Sequence, residues 1–212
     1  MRWASLGVAG LVLGAVLAPN AHANVIFTLG NNPQQPGEQN ILFGSQQTGT
    51  TINGATNQTN TQVRFTSTQS LTTGGQGQAF LQPTSAGALF TNFSFSVPGA
   101  TFQDFIFNPQ IGGQPQGGGG TANVSAVAND GTFPFSYALG NGQNFLTITT
   151  AGGETLSSVS LSVSGAGFNQ LQQPRVSGVS TNQPIPEPAS LAIFGAALAG
   201  LGLLRRRRKN PV

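Results

Sequence analysis

The feature that most constrains the fold is a strict alternation of apolar and hydroxyl residues late in the chain. In the segment SVSLSVSG, Val159, Leu161 and Val163 alternate with serines. A period of two places successive side chains on opposite faces of an extended strand, whereas a helix would scatter them around its surface. The segment therefore predicts a β-strand with one apolar face and one polar face.

Six other short runs are rich in β-branched or aromatic residues, which favour strands. They span residues 24–29, 61–67, 91–97, 122–128, 132–139 and 144–150. Asp130-Gly131 and Asn141-Gly142 lie between neighbouring runs, and such pairs favour tight hairpins. Gly152-Gly153 precedes the serine-alternating strand. The four runs between about 121 and 164 therefore predict an antiparallel meander.

The runs and turns together predict one all-β domain over residues 24–176, with roughly nine to twelve closely spaced strands. This spacing favours an antiparallel β-sandwich, or a jelly roll as a variant of it. Pro134 lies inside a run, which predicts an edge strand or a bulge there. Phenylalanines are expected to supply most of the core, in the absence of any disulfide. They are Phe90, Phe93, Phe95, Phe102, Phe105, Phe107, Phe133, Phe135 and Phe145.

Several tracts lack this pattern. Residues 30–40 and 108–120 are rich in Gly, Pro, Asn and Gln and are predicted to be surface loops. Residues 44–62 are polar, so they are either loosely ordered or laid along a polar sheet face. Residues 177–185 are mostly polar, contain Pro184 near their end and are predicted to be a linker.

The N-terminal segment, residues 1–23, has the order of a secretory signal peptide. Arg2 is followed by an apolar run from Leu6 to Leu17, and the small residues Ala21 and Ala23 lie just before the predicted cleavage site. A buried helix of the folded domain is the alternative, but Pro19 ends the apolar run where a cleavage region should be extended. We therefore expect a signal helix, passage through the Sec translocon, and cleavage by signal peptidase after Ala23.

The C-terminal segment has three parts in a fixed order. Pro186, Glu187 and Pro188 precede an apolar run from Ala189 to Leu204. A basic tail follows, made of Arg205, Arg206, Arg207, Arg208 and Lys209. As a helix the run would span about 24 Å, slightly less than the roughly 30 Å hydrocarbon core, and arginines can reach the headgroups along their stems. We expect a transmembrane helix with its tail inside. The alternative interpretation of the basic tail is a nuclear or nucleic-acid-binding patch, but it does not explain the apolar run directly before it.

This tail, residues 186–212, resembles the PEP-CTERM sorting signal of Gram-negative bacteria. The match is carried by Pro186, Glu187 and Pro188, the helix that follows, and the arginine cluster. The resemblance implies that exosortase, an integral-membrane protease, recognises and removes the tail. It also implies a protein that is transiently anchored in the inner membrane and then reaches the cell surface or the extracellular space.

Charge and residue content limit the chemistry of the middle of the chain. Residues 24–184 contain two arginines and four carboxylates, a net charge of −2, and neither Lys nor Cys. The single histidine, His22, lies in the predicted signal peptide. A nucleic-acid surface needs clustered cations, and nucleophilic catalysis needs a base beside the nucleophile. We therefore expect no nucleic-acid partner, no cofactor and no enzymatic activity.

Two weaker interpretations of the acidic residues stay open. Asp104 and Asp130 could serve as the acid and base of a glycosidase if the fold placed them about 5–10 Å apart. The same two residues, with Asn108 and Asn129, could also contribute oxygen ligands to calcium. No recognised calcium spacing is present, and Asp130 is more simply explained as a hairpin turn residue.

The expected function follows mainly from the resemblance. The resemblance to PEP-CTERM proteins implies a structural or adhesive role in an extracellular matrix of exopolysaccharide, as in a biofilm. The alternative is a non-catalytic carbohydrate-binding module, supported by calcium. The many Ser and Thr residues could instead carry attached glycans.

Overall fold

A computed structural model of the protein describes residues 24–30, 37–74, 79–112 and 119–181. Within those ranges the chain forms fourteen strands and no helix. The strands are β1 (Asn24–Leu29), β2 (Gln39–Leu42), β3 (Thr48–Thr56), β4 (Gln62–Gly74), β5 (Phe80–Pro83), β6 (Asn92–Ser96), β7 (Ala100–Thr101), β8 (Asp104–Ile111), β9 (Thr121–Ala128), β10 (Gly131–Ala138), β11 (Leu146–Ala151), β12 (Leu156–Ser164), β13 (Phe168–Ser177) and β14 (Ser180–Thr181).

All pairings between these strands are antiparallel. Twelve strands form one sheet in the order β1-β11-β8-β13-β2-β3-β4-β6-β12-β9-β10, with β5 paired to both β13 and β4. The two remaining strands, β7 and β14, pair with each other. The predicted all-β, antiparallel class is therefore confirmed.

The sheet closes on itself through five strands, β13, β2, β3, β4 and β5. The long strand β4 makes this closure because it changes partners along its length. Its residues Arg64–Thr66 pair with β6, whereas Leu71–Gly74 pair with β5. A register shift in β3 between Gly49 and Thr51 marks a bulge, which bends the sheet. A barrel-like closure thus replaces the two separate sheets of the predicted sandwich or jelly roll.

Two arms of the sheet extend from this closure and pack on each other. One arm contains β8, β11 and β1, and the other contains β6, β12, β9 and β10. Phe95 of β6 stacks on Phe105 of β8 with ring centroids 3.9 Å apart. At the far ends, Phe27 of β1 stacks on Phe135 of β10 at 4.8 Å. The two edge strands of the sheet therefore face each other across the core.

Phenylalanine rings fill this core, although not all of those predicted. Six of the predicted residues are fully buried: Phe90, Phe93, Phe95, Phe102, Phe105 and Phe107. Phe133, Phe135 and Phe145 are only partly buried, because the first two lie on the edge strand β10 and the third precedes β11. Phe65 and Phe168 are fully buried and were not predicted.

The predicted meander over 121–164 is wrong beyond its first hairpin. Asp130-Gly131 does join β9 to β10, but β10 does not pair with β11. Instead β11 crosses to the other arm, between β1 and β8, and β12 returns to pair with β9 and β6. The crossing loop is held by Asn144, whose amide group donates to the Pro109 carbonyl of β8 at 3.1 Å. A turn pair predicts a reversal of the chain and does not decide which neighbour the next strand takes.

The edge position predicted for Pro134 is confirmed, because β10 pairs with β9 alone among the described strands. Leu139 donates its backbone N–H to Gly120 on the β9 side. Residues on an antiparallel strand alternate in the direction of their backbone polar groups. Pro134, which lacks an N–H, therefore stands at a position facing away from β9.

The irregular tracts are partly strands. Asn108–Ile111, predicted as loop, completes β8, and Gln39–Asn40 begins β2. The polar stretch 44–62 is largely the paired strand β3, in line with a polar sheet face. Pairing also extends into the predicted linker, since Ser180–Thr181 form β14. The predicted signal helix and transmembrane helix lie outside the described residues, and no helix within the described ranges could cross a membrane.

Candidate functional site

The sites predicted at the two ends of the chain lie outside the described residues. This applies to the cleavage site at Ala21 and Ala23, to the motif at 186–188 and to the basic tail at 205–209.

Asp104, the first of the acidic candidates, begins β8 and is half-buried. Its carboxylate accepts a hydrogen bond from the Ser177 hydroxyl on the neighbouring strand β13. Burial raises the pKa of Asp104, and the Ser177 hydrogen bond lowers it by less. The residue is therefore a strand residue tied to its neighbour.

Asp130, the second candidate, is exposed in the turn between β9 and β10. Its backbone N–H donates to the Glu154 carboxylate at 3.1 Å. The adjacent Asn129 accepts a hydrogen bond from the Thr155 backbone N–H at 2.8 Å. Both residues thus tie the β9–β10 turn to the β11–β12 connection.

The four residues considered as calcium ligands belong to two elements, the strand β8 and the β9–β10 turn. Asn108 is fully buried and accepts a hydrogen bond from the Asn144 backbone N–H at 2.8 Å. It lies four residues beyond Asp104 on β8, about 13 Å along the strand. Asn129 and Asp130 lie in the turn between β9 and β10. Within the described ranges, no group of three His, Cys, Asp or Glu residues could hold a metal ion.

The pKa shift of Asp104 gives a testable pH dependence. In the folded protein the Asp104 carboxyl group holds its proton more tightly than in the unfolded chain, where its pKa has the usual value of 3.8. The free energy of unfolding therefore falls as the pH rises through the window from the unfolded to the folded pKa. Asp104→Asn stays neutral, so it should stabilise the protein relative to wild type more at pH 7 than at pH 3. Urea denaturation at both pH values measures this, and an equal effect at the two would contradict it.

A more extensive polar feature is the outward face of β3, β4, β6, β12 and β9. Phe65, Phe93, Leu161 and Val124 point inward from these strands and are buried. Most of the residues that alternate with them carry hydroxyl or amide groups and point outward, with Arg64 of β4 and Val127 of β9 as exceptions. We call this surface the hydroxyl face. It includes a trough of about 480 Å³, whose described lining contains no charged residue.

The strand register aligns hydroxyl groups across this face. Thr51 pairs with Thr66, Thr66 with Ser94, Ser94 with Ser160, and Ser160 with Ser125. We call these five residues the central row. Neighbouring strands are about 4.7–4.9 Å apart, so the row spans about 19 Å over five strands.

Most hydroxyl groups of the central row are open to a ligand. Of the five, only Ser160 donates within the described part of the chain, to the Ser125 carbonyl at 3.4 Å. At the edges of the trough the amides are fixed, because Asn92 donates to the Thr68 hydroxyl at 2.6 Å and Asn123 accepts from Ser136 at 2.9 Å. The trough therefore combines open hydroxyls with immobilised amide borders.

Sequence reasoning found only part of this face. The serine alternation in β12 indicated that one strand has a polar side. It gave no indication that Thr51, Thr66, Ser94 and Ser125 lie beside Ser160, because register between distant strands is a tertiary property.

Comparison with known proteins identifies the C-terminal segment. Residues 184–208 match the family model described as the PEP-CTERM protein-sorting motif. The predicted resemblance is confirmed, so the chain carries a motif that indicates export, membrane-anchored processing of the C-terminus and recognition by exosortase. No curated protein and no solved structure shows significant similarity to the chain.

Proposed function

We propose that the domain is a non-catalytic, adhesive or structural component of an extracellular matrix, and that it binds exopolysaccharide through the hydroxyl face. The single observation that carries this proposal is the central row, in which five hydroxyl residues from five strands lie in register.

The chemistry of the central row suits a polysaccharide. A Ser or Thr hydroxyl both donates and accepts hydrogen bonds, and so does a sugar hydroxyl. One such bond contributes only about 0.5–1.5 kcal/mol, so a single sugar should bind weakly. A polymer that repeats the same groups can engage the row at several positions at once, which raises the overall affinity.

The charge of the trough favours a neutral section of polymer. Its described lining carries no charge, and Arg64, which points outward from β4 opposite Ser96, lies outside that lining. An acidic polymer would need clustered cations for comparable attraction. We therefore place neutral sugars in this trough.

A non-catalytic role accords with the residues present. Residues 24–181 contain no His, Cys or Lys, and the two carboxylates considered for glycoside hydrolysis have different neighbours. Asp104 is bonded to Ser177, whereas Asp130 lies in the β9–β10 turn. The sorting motif supports delivery across the inner membrane, and we place the processed protein at the cell surface or in a biofilm matrix.

The predicted alternative, a calcium-supported carbohydrate-binding module, differs in its need for metal. Since the oxygen ligands proposed for it are dispersed, we expect polysaccharide binding to be the same with and without EDTA. Loss of binding in EDTA would favour the alternative.

Co-sedimentation with exopolysaccharide from the native host tests the proposal. The exported protein is compared with the double variant Ser94→Val and Ser160→Val, which removes two central hydroxyls and introduces β-branched residues that favour strands. We expect binding to weaken about tenfold or more, from the loss of two hydrogen bonds. The matched control is Thr132→Val with Thr149→Val, which also removes two hydroxyls and lies outside the lining of the trough.

The control should bind like wild type. If the wild-type protein does not bind the polysaccharide, or if both double variants bind it as tightly as wild type does, the hydroxyl face is not the binding surface.

Processing of the tail gives a separate prediction. Glu187 is the only carboxylate in the matched segment, and the prolines on either side disfavour regular structure there. We expect Glu187→Ala to leave the protein in the inner membrane with its tail intact. Immunoblotting of membrane and external fractions with a C-terminal epitope measures this.

The control for this experiment is Gln183→Ala, just before the matched segment. It should be processed normally. Normal removal of the tail in Glu187→Ala would show that this carboxylate is not required for recognition.

A further inference from the structure

We infer that the domain forms a symmetric dimer by antiparallel pairing of β1 with β1 of a second copy. The inference is independent of polysaccharide binding. It rests on the hydrogen-bonding direction of β1, on its exposed apolar side chains, and on the contrast between the two edges of the sheet.

The outer edge of β1 has backbone groups available for pairing. Among the described strands, β1 pairs only with β11. Gly30 donates its N–H to the Phe145 carbonyl, in register with the β1–β11 ladder. Because backbone direction alternates along an antiparallel strand, the even-numbered residues of β1 face β11. Val25, Phe27 and Leu29 therefore direct their N–H and C=O groups outward.

The side chains of β1 are unusually apolar for an edge. Leu29 is 58% exposed and Ile26 is 47% exposed. They are the two most exposed large apolar residues of the described part of the chain. The strand NVIFTL contains no charge, no proline and no glycine. Natural edge strands commonly carry charged residues or proline, because an unprotected edge pairs with other chains.

The opposite edge has the protection that β1 lacks. Pro134 stands in the middle of β10 at a position facing away from β9, where it removes a donor and its ring obstructs an approaching strand. One end of the sheet is thus blocked by its sequence, whereas the other has no second partner among the described strands.

The open edge is complementary to itself. A two-fold axis at Phe27, perpendicular to the sheet, would place Val25 opposite Leu29 of the second copy and Ile26 opposite Thr28. Every outward-facing residue then meets an outward-facing residue, so the N–H and C=O groups of all three are paired. Both copies also keep their cores on the same side of the joined sheet. This self-complementarity selects a second copy as the occupant.

Engineered disulfides test the register directly, since the chain contains no cysteine. Ile26 and Thr28 would form a non-hydrogen-bonded pair across the axis, where Cα atoms are about 4.5 Å apart and a disulfide fits. Ile26→Cys and Thr28→Cys are prepared as separate variants of the exported protein, one with an affinity tag. We expect a covalent dimer when the two are mixed and oxidised, and none from either variant alone.

Sedimentation velocity tests the edge without a cross-link. Leu29→Pro removes an outward N–H that has no acceptor within the described part of the monomer, so it should abolish the dimer while the urea midpoint stays close to wild type. Thr132→Pro makes the equivalent change on β10 and should leave the dimer intact.

Three outcomes would overturn the inference. The first is a monomer at every protein concentration. The second is equal cross-linking of each cysteine variant with itself, which indicates another register or random collision. The third is a dimer that Thr132→Pro disrupts and Leu29→Pro does not, which places the contact on β10.

Discussion

Replacing Arg175 with leucine is expected to lower the free energy of unfolding by about 3–5 kcal/mol. The Nη1 atom of Arg175 lies 2.7 Å from Oε1 of Glu38, and the two side chains are only 8% and 1% exposed. Removing the guanidinium leaves a carboxylate buried without its counter-ion, and burial strongly disfavours an isolated charge. Urea denaturation with linear extrapolation measures the loss.

Two variants control this experiment. Arg64→Leu removes the other arginine of residues 24–181, which is exposed, and should change stability by no more than about 0.5 kcal/mol. The double variant Glu38→Leu with Arg175→Leu removes both charges and should recover much of the lost stability. If Arg175→Leu behaves like Arg64→Leu, the buried pair does not contribute as proposed.

Phe105→Ala should be comparably destabilising, by about 3–5 kcal/mol. Phe105 is fully buried and stacks on Phe95 across the two arms, with nearly parallel rings 3.9 Å apart. It also contacts the rings of Phe107, at 5.1 Å, and Phe102, at 6.4 Å. Its truncation leaves a cavity at the centre of the core. Since total stabilities are typically about 5–15 kcal/mol, this single change would leave the domain marginal.

The matched control is Phe133→Ala, which makes the same truncation on the edge strand β10, where the ring is only partly buried. We expect a loss of about 1 kcal/mol there. Urea midpoints compare the two variants at constant denaturant slope. Equal losses would mean that the packing of the two arms is not centred on Phe105.

Strand formation could be predicted where one face of a strand is exposed. In β12 and β9 the buried and exposed sides alternate, so the apolar pattern has a period of two. The central strand β8 was missed because five consecutive residues in it are buried, and burial on both faces removes the alternation. Its Asn108 also suggested a loop, although it lies in the core.

The candidate sites differ in how far apart their residues lie in the sequence. The sorting motif could be predicted because its three parts follow one another along the chain, and a family model confirms it. The hydroxyl face and the Glu38–Arg175 pair could not, because their members are distant in sequence. Glu38 lies in a tract predicted as loop, and only the pairing of β13 with β2 brings Arg175 beside it.

The sequence by itself determined that this chain forms antiparallel strands, that phenylalanines fill its core, and that its C-terminus carries a sorting motif. Each of these depends on residues that are close along the chain. The tertiary structure alone decided that β11 crosses to the other arm, that five strands close the sheet, and that Thr51, Thr66, Ser94, Ser160 and Ser125 form one row. The physical reason is that alternation specifies which face a residue occupies, whereas the choice of neighbouring strand depends on packing between segments far apart in sequence.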